Sequence, residues 1–223
     1  MGKRFGALIG AVVAIVLVGP GSADAATFDV DSTADVAHVG GCTVAPGDCS
    51  LRDAITAANG SADPTSTVNV PAGTYPVTAG QIESDGNTAI VGADARTTIV
   101  DAGGLSRVFY ISDGDASISG LTITGGSASD TGAGPETGDG GGILVVGGLL
   151  TGNPSLTLTD SAVVGNSAAF NGAGLALPSF HTGGGGTETS ELTVTRSTIA
   201  NNHLTGGTVP TAVIVEFSTV RFP

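Results

Sequence analysis

The feature that most constrains this 223-residue chain is a passage that repeats without gaps. Leu156-Thr157-Leu158-Thr159-Asp160-Ser161-Ala162-Val163-Val164-Gly165-Asn166 recurs 36 residues later as Leu192-Thr193-Val194-Thr195-Arg196-Ser197-Thr198-Ile199-Ala200-Asn201-Asn202. A looser copy over 116–126 stands 40 residues before the first. A glycine-rich element precedes two of the copies, Gly140-Gly141-Gly142-Ile143-Leu144 and Gly172-Ala173-Gly174-Leu175-Ala176. Within each copy Ile118, Leu158 and Val194 alternate with hydroxyl residues, so apolar side chains point one way and polar ones the other. Repeats of this length, each carrying several short strands, bury no apolar face alone and must stack. Parallel stacking at about 4.8 Å per turn makes an all-β solenoid with an apolar interior. Asn166 and Asn202 then fall at equivalent turns, where side-chain amides form a ladder. An antiparallel β-sandwich would explain the alternation but not the gapless repeat.

Composition agrees. The chain has 37 glycines and only 12% charged residues, which starves a long helix bundle of the Lys, Glu and Leu it needs. A 40% hydrophobic content rich in Val, Ile and Thr argues equally against disorder. Segments 97–100, 108–111 and 117–124 read as strands, and 71–77 as a turn entering another. Residues 65–207 form the repeat region, about six turns if each takes roughly 20–25 residues. Residues 208–223 do not read as a further turn and form an atypical C-terminal end. If they leave the last turn uncovered, its unpaired backbone becomes a route to self-association.

One helix is expected, over 50–59. Ser50 caps it together with Asp53 three residues on. Leu51, Ile55 and Ala58 share one face, and Asn59-Gly60 supplies the stop. Residues 26–64 therefore read as an N-terminal cap. Cys42 and Cys49 stand just before the helix. They are expected to form a disulfide, worth about 2–3 kcal/mol for so short a loop. The rival, a metal site, finds only His38 nearby to complete a ligand set. Arg52 is expected to pair with Asp48 or with groups at the helix end.

The first 25 residues read as an export signal. Lys3 and Arg4 precede an apolar run over 7–18, then the breaker Gly19-Pro20-Gly21 and the small-residue site Ala23-Asp24-Ala25. Cleavage is expected between Ala25 and Ala26. Twelve apolar residues are too few to span a bilayer of about 30 Å, so an uncleaved anchor is the lesser reading and no membrane span remains after removal. The protein is then secreted, extracellular or at the cell surface, where a disulfide persists.

Charge limits the partners. Removing 1–25 leaves 5 basic and 19 acidic residues, a formal net charge of −14 with no Lys. Such a surface repels nucleic acid. No cofactor is expected; Asp113 and Asp115 are the candidates for calcium, although Asp-Gly pairs are more often turns.

The stretch Cys49-Ser50-Leu51-Arg52-Asp53-Ala54-Ile55 resembles the motif of secreted CSLREA-type proteins, with Asp53 in place of Glu. The resemblance continues through Pro71-Ala72-Gly73-Thr74-Tyr75, Gly120-Leu121-Thr122-Ile123-Thr124-Gly125-Gly126 and the repeats, roughly 27–207. It implies a right-handed parallel β-helix of the pectin-lyase-like superfamily and an exported life. Family members are often longer, which leaves a truncated copy without its own activity as one reading.

The superfamily includes polysaccharide lyases and hydrolases. A lyase needs a strong base beside a bound cation, and a hydrolase needs converging carboxylates. The chain lacks Asn-Thr-Asp, Gly-His-Gly and Arg-x-Lys signatures, and His38, His181 and His203 have no common spacing. By the repeat alignment Asp160 and Arg196 stack face to face, the one candidate catalytic pair, although an exposed salt bridge is the simpler reading. Tyr75 and Tyr110 are candidates for sugar stacking or for strand-end packing. The functional expectation is a non-catalytic module binding a glycan or protein along its surface; the alternative is a polysaccharide lyase or hydrolase.

Overall fold

The computed structural model describes residues 25–38, 40–85, 87–112, 114–129, 138–146, 154–178 and 191–206, with the backbone of 213–215 and 219–221. Its first elements are β1 (Thr27–Asp29) and α1 (Leu51–Asn59). Five passages of short strands follow. The first holds β2 (Ser66–Val70), β3 (Gly73–Pro76) and β4 (Ile82–Ser84); the second holds β5 (Thr88–Gly92), β6 (Thr98–Asp101) and β7 (Phe109–Ile111). The third has four: β8 (Asp115–Ser119), β9 (Thr122–Thr124), β10 (Ser127–Ala128) and β11 (Ile143–Val145). So does the fourth, with β12 (Ser155–Thr159), β13 (Ala162–Val164), β14 (Ser167–Ala168) and β15 (Leu175–Leu177). The fifth contains β16 (Glu191–Thr195), β17 (Thr198–Ala200), β18 (His203–Leu204) and β19 (Val213–Val215), and β20 (Thr219–Arg221) comes after it.

Four parallel sheets collect these strands. Sheet I runs β1-β2-β5-β8-β12-β16-β20, sheet II β3-β6-β9-β13-β17, sheet III β4-β7-β11-β15-β19 and sheet IV β10-β14-β18. Each passage visits sheets I, II and III in that order, with sheet IV inserted between II and III from the third onward. The molecule is thus all-β and parallel, with a single helix among the described residues.

The sequence repeat is the ladder register. Leu156 lies opposite Leu192 and Ala116, and Leu158 opposite Val194 and Ile118. Thr157 and Thr159 on the other face stay partly exposed. Ile118, Leu158 and Val194 therefore stack as one buried column, as do Phe109, Ile143 and Leu175 from sheet III. Strands β11 and β15 are buried on both faces, which accounts for their unbroken apolar text.

Three expectations change. Segment 117–124 is two strands in different sheets, because Gly120 adopts φ +65° and turns the chain between β8 and β9. Five passages span 66–215 rather than six turns. Their register steps along sheet I are 22, 28, 40, 36 and 28 residues, and the long ones contain segments outside the described residues. Parallel pairing also extends past residue 207, since β19 joins β15 and β20 joins β16 without any copy of the repeat motif.

Two side-chain ladders hold the corners. The left-handed residues Gly125, Gly165 and Asn201 end β9, β13 and β17 at φ +64°, +68° and +57°. At the next position the Gly126 N–H donates to Asn166 Oδ1 (2.8 Å) and the Asn166 N–H to Asn202 Oδ1 (2.9 Å). Asn166 Nδ2 donates in turn to the carbonyls of Ile123 and Val164 and to Asn202 Oδ1. Gly126 has no substitute here, because a Cβ would stand 2.0 Å from the Gly141 carbonyl oxygen. A serine ladder at the I–II corner does the same work. The Leu121 N–H donates to Ser161 Oγ (3.3 Å), and the Ser161 N–H to Ser197 Oγ (3.1 Å).

Asn166 is 0% exposed, so Asn166→Ala removes the acceptor of the buried Gly126 N–H and a donor to two carbonyls. A loss of about 2–4 kcal/mol in urea unfolding is expected, against about 1 kcal/mol for Ser161→Ala. Equal losses would show that the amide ladder holds no special place.

Candidate functional site

A groove of about 330 Å³ opens at the corner between sheets I and II. The ladder β8–β12–β16 puts Gly120, Asp160 and Arg196 in one column directly after the strands. All three are left-handed, with φ of +65°, +48° and +48°. Arg196 donates from Nε to Asp160 Oδ1 (2.7 Å) and from Nη2 to Asp160 Oδ2 (2.6 Å), a two-pronged ion pair. Gly120 contributes no side chain to the column, and a Cβ there would stand 2.5 Å from the Gly92 carbonyl oxygen.

The other wall is the β5–β6 connection, five residues where the later corners have two. Asp94 shapes it: its Oδ1 accepts the Arg96 N–H and its carbonyl accepts those of Thr97 and Thr98. Thr122 Oγ1 donates to the Ala95 carbonyl (2.5 Å) and pins the loop against β9. Ala95, Ser161, Ala162 and Thr198 complete the lining. Asp94 and Arg96, 4.0 Å apart, face the Asp160–Arg196 pair across the groove.

The hydrogen bond from Arg196 holds the Asp160 carboxyl below the usual carboxylate range, and Asp160 in turn raises the Arg196 guanidinium. Asp160 is thereby kept ionised and Arg196 kept charged. The Arg96 and Arg196 side chains are 90% and 66% exposed. The other two described arginine side chains are turned to structural use. Arg107 donates to the carbonyls of Asp139 and Gly140 and lies over the Tyr110 ring.

Arg52 does not reach Asp48. It pairs with Asp35 through Nε (2.7 Å) and Nη2 (3.1 Å) and donates to the carbonyls of Gly80 and Gln81. Asp48 is occupied by Thr43 within the disulfide loop, while Asp35 sits beside the 78–81 turn and also accepts the N–H groups of Thr78 and Ala79. Burial alone would raise the Asp35 carboxyl, but Arg52 and those N–H groups outweigh it and hold it below its ordinary value.

Around the helix, Cys42 and Cys49 form a disulfide, closing a loop whose Gly47 and Cys49 N–H groups donate to Asp31. Ser50 and Asp53 make a reciprocal capping box. Asp53 also accepts from the His38 N–H (2.8 Å) and faces His38 Nδ1 at 2.7 Å, a contact that nothing in the sequence spacing announces. Burial pushes the Asp53 carboxyl up, yet the His38 and Ser50 hydrogen bonds hold it low. Leu51, Ala54, Ile55 and Ala58 are buried where α1 packs against β1, β2, β4 and β5.

The remaining candidates are dispersed. Asp113 and His181 lie outside the described residues, as do residues 1–24 of the expected export signal. Asp115 accepts from Ser155 Oγ (2.7 Å). Among the described residues no group of three or more His, Cys, Asp or Glu is placed to hold a metal. Tyr75 is buried and donates to the Pro71 carbonyl, and His203 lies opposite Ser167 in sheet IV. Ala26 accepts the Thr67 N–H through its carbonyl, next to the expected cleavage point. No described helix is long and apolar enough to cross a membrane. In comparisons with known proteins, the chain matches no family model, no curated protein and no solved structure.

The two depressed carboxyls give the cap an acid limit. Their stabilisation is complete above the unfolded carboxylate value of about 4 and is lost as pH falls through their lower folded values. Asp35→Asn leaves Arg52 buried without its partner and should cost about 3 kcal/mol at pH 7. Urea midpoints between pH 2 and 6 should fall less steeply with acid in Asp35→Asn than in the parent. Parallel curves would remove Asp35 from the acid limit.

Proposed function

We propose that this chain is an exported, non-catalytic right-handed parallel β-helix of the CSLREA type that binds an extracellular or cell-surface glycan or protein along its surface. The repeated passage through the same sheets supports the architecture, together with repeat offsets that match the parallel register. The Cys49-Ser50-Leu51-Arg52-Asp53-Ala54-Ile55 stretch forms the end of the disulfide loop and the start of the capping helix, which supports the family reading. Lys3-Arg4, the apolar run and Ala23-Asp24-Ala25 support export.

One observation carries the non-catalytic reading: the candidate pair, Asp160 and Arg196, is spent on itself in a two-pronged ion pair. A general acid needs a carboxyl held above its usual range, but Asp160 is held below it. An arginine serving as base needs its guanidinium lowered, but Arg196 is raised. Two opposed Asp–Arg pairs on an open corner suit a surface that holds a ligand without transforming it.

Purified protein incubated with neutral and acidic polysaccharides, with and without calcium, should be retained on at least one without releasing reducing ends or unsaturated products. The exported form should begin at Ala26 by mass spectrometry. Product release abolished by Asp160→Asn would establish the lyase or hydrolase alternative instead.

A further inference from the structure

Asp160 and Arg196 occupy backbone that glycine fits best. Their column partner is Gly120, and all three residues are left-handed. At the neighbouring II–IV corner the equivalent column is filled by Gly125, Gly165 and Asn201, residue types that tolerate that conformation. Arg has no such tolerance, so its placement at φ +48° is a strained choice whose gain lies in what the side chain does. Burial does not explain it, because Arg196 is 66% exposed and Asp160 53%.

The groove brings together the two strongly exposed arginines among the described side chains. Each has an aspartate beside it, so the site is neutral within a chain of formal charge −13. Arg196 spends Nε and one Nη2 proton on Asp160 and keeps further N–H donors facing outward, while both Asp160 oxygens retain lone pairs. Ser161 and Thr198 add hydroxyls in the lining. Paired donors and acceptors at short spacing, with small Ala95 and Ala162 also in the lining, complement vicinal hydroxyl groups, each of which donates once and accepts. A polyanion would meet no net positive charge here and would be repelled by the rest of the surface.

We propose that this corner groove binds a neutral, hydroxyl-rich oligosaccharide, with Asp160 and Arg196 gripping adjacent hydroxyls and Asp94 and Arg96 closing the opposite wall. The proposal rests on the glycan-binding reading above and supplies its site and ligand class. The volume, at the small end of ligand clefts, and a lining without aromatic rings set the affinity at about millimolar.

The test is an amide-resolved NMR titration of the full chain with gluco-, manno- and xylo-oligosaccharides of six units, beside an oligogalacturonate. A neutral oligosaccharide should shift amides confined to 94–96, 160–162 and 196–198. Asp160→Gly/Arg196→Gly should bind at least ten-fold more weakly while its thermal midpoint stays at or above the parent's, because glycine relieves the left-handed backbone. Ala162→Leu keeps the pair, narrows the groove that Ala162 lines and should lose binding as well. A lowered midpoint with unchanged binding would make the pair structural and overturn the proposal. Binding of the acidic oligomer alone at these residues would overturn the ligand class. Neutral-glycan shifts elsewhere would overturn the site but leave the glycan-binding reading standing; no shift with any carbohydrate would overturn both.

Discussion

The arrangement depends on the fate of one backbone N–H at each corner. A left-handed residue swings the chain from one sheet to the next and turns the following N–H toward the neighbouring passage. There a side chain accepts it: Ser161 for Leu121, Ser197 for Ser161, Asn166 for Gly126 and Asn202 for Asn166. Left alone in so buried a place, each N–H would cost about 1–3 kcal/mol. The fourth and fifth passages therefore carry the side chains that complete the third and fourth. The strands between corners add apolar columns, but parallel columns of Ile, Leu and Val tolerate sliding better than polar bonds do. A one-residue slip would reverse every side chain and orphan both corner N–H groups together.

Charge is divided between two kinds of place. In the N-terminal cap it is buried and tied to backbone. Asp35 is 3% exposed and holds Arg52 and two N–H groups, joining the helix to the 78–81 turn. Asp53 gathers Ser50 and His38, so the helix start and the segment before the disulfide loop share one carboxylate. Removing either aspartate breaks several bonds at once. At the sheet corner the charges are exposed, pair with each other and support no buried backbone.

How much of this was legible follows from which contacts repeat. The offsets of 36 and 40 residues translate into register because parallel stacking puts equivalent residues opposite one another, and that same logic places Asp160 against Arg196. The capping box was legible because its two partners lie three residues apart. The serine ladder was present in the same repeat, in Ser161 and Ser197, but a hydroxyl one residue after a turn reads as turn chemistry until the neighbouring N–H is known. Arg52–Asp35 and His38–Asp53 span 17 and 15 residues of irregular chain, with no period to predict them. The groove needed the least periodic piece, the 93–97 loop, whose aspartate and arginine look like an ordinary turn. Strands β19 and β20 carry no motif copy, because an edge partner needs only extended backbone in register.

In the fourth and fifth passages the corner column carries side chains that the fold does not require. Ser161 and Ser197 fix the backbone one residue beyond Asp160 and Arg196, so the left-handed residues themselves make no bond the fold requires of their side chains. The Asp160 and Arg196 side chains are exposed, and parallel register sets them against each other. In the third passage glycine is required, because a Cβ on Gly120 would stand 2.5 Å from the Gly92 carbonyl oxygen. An anion site would need unpaired basic residues in successive passages. The chain instead follows glycine with aspartate and aspartate with arginine, which cancels the charge while keeping donors and acceptors side by side. That choice builds hydrogen-bonding capacity without net potential, the property that distinguishes recognition of hydroxyl groups from attraction of ions.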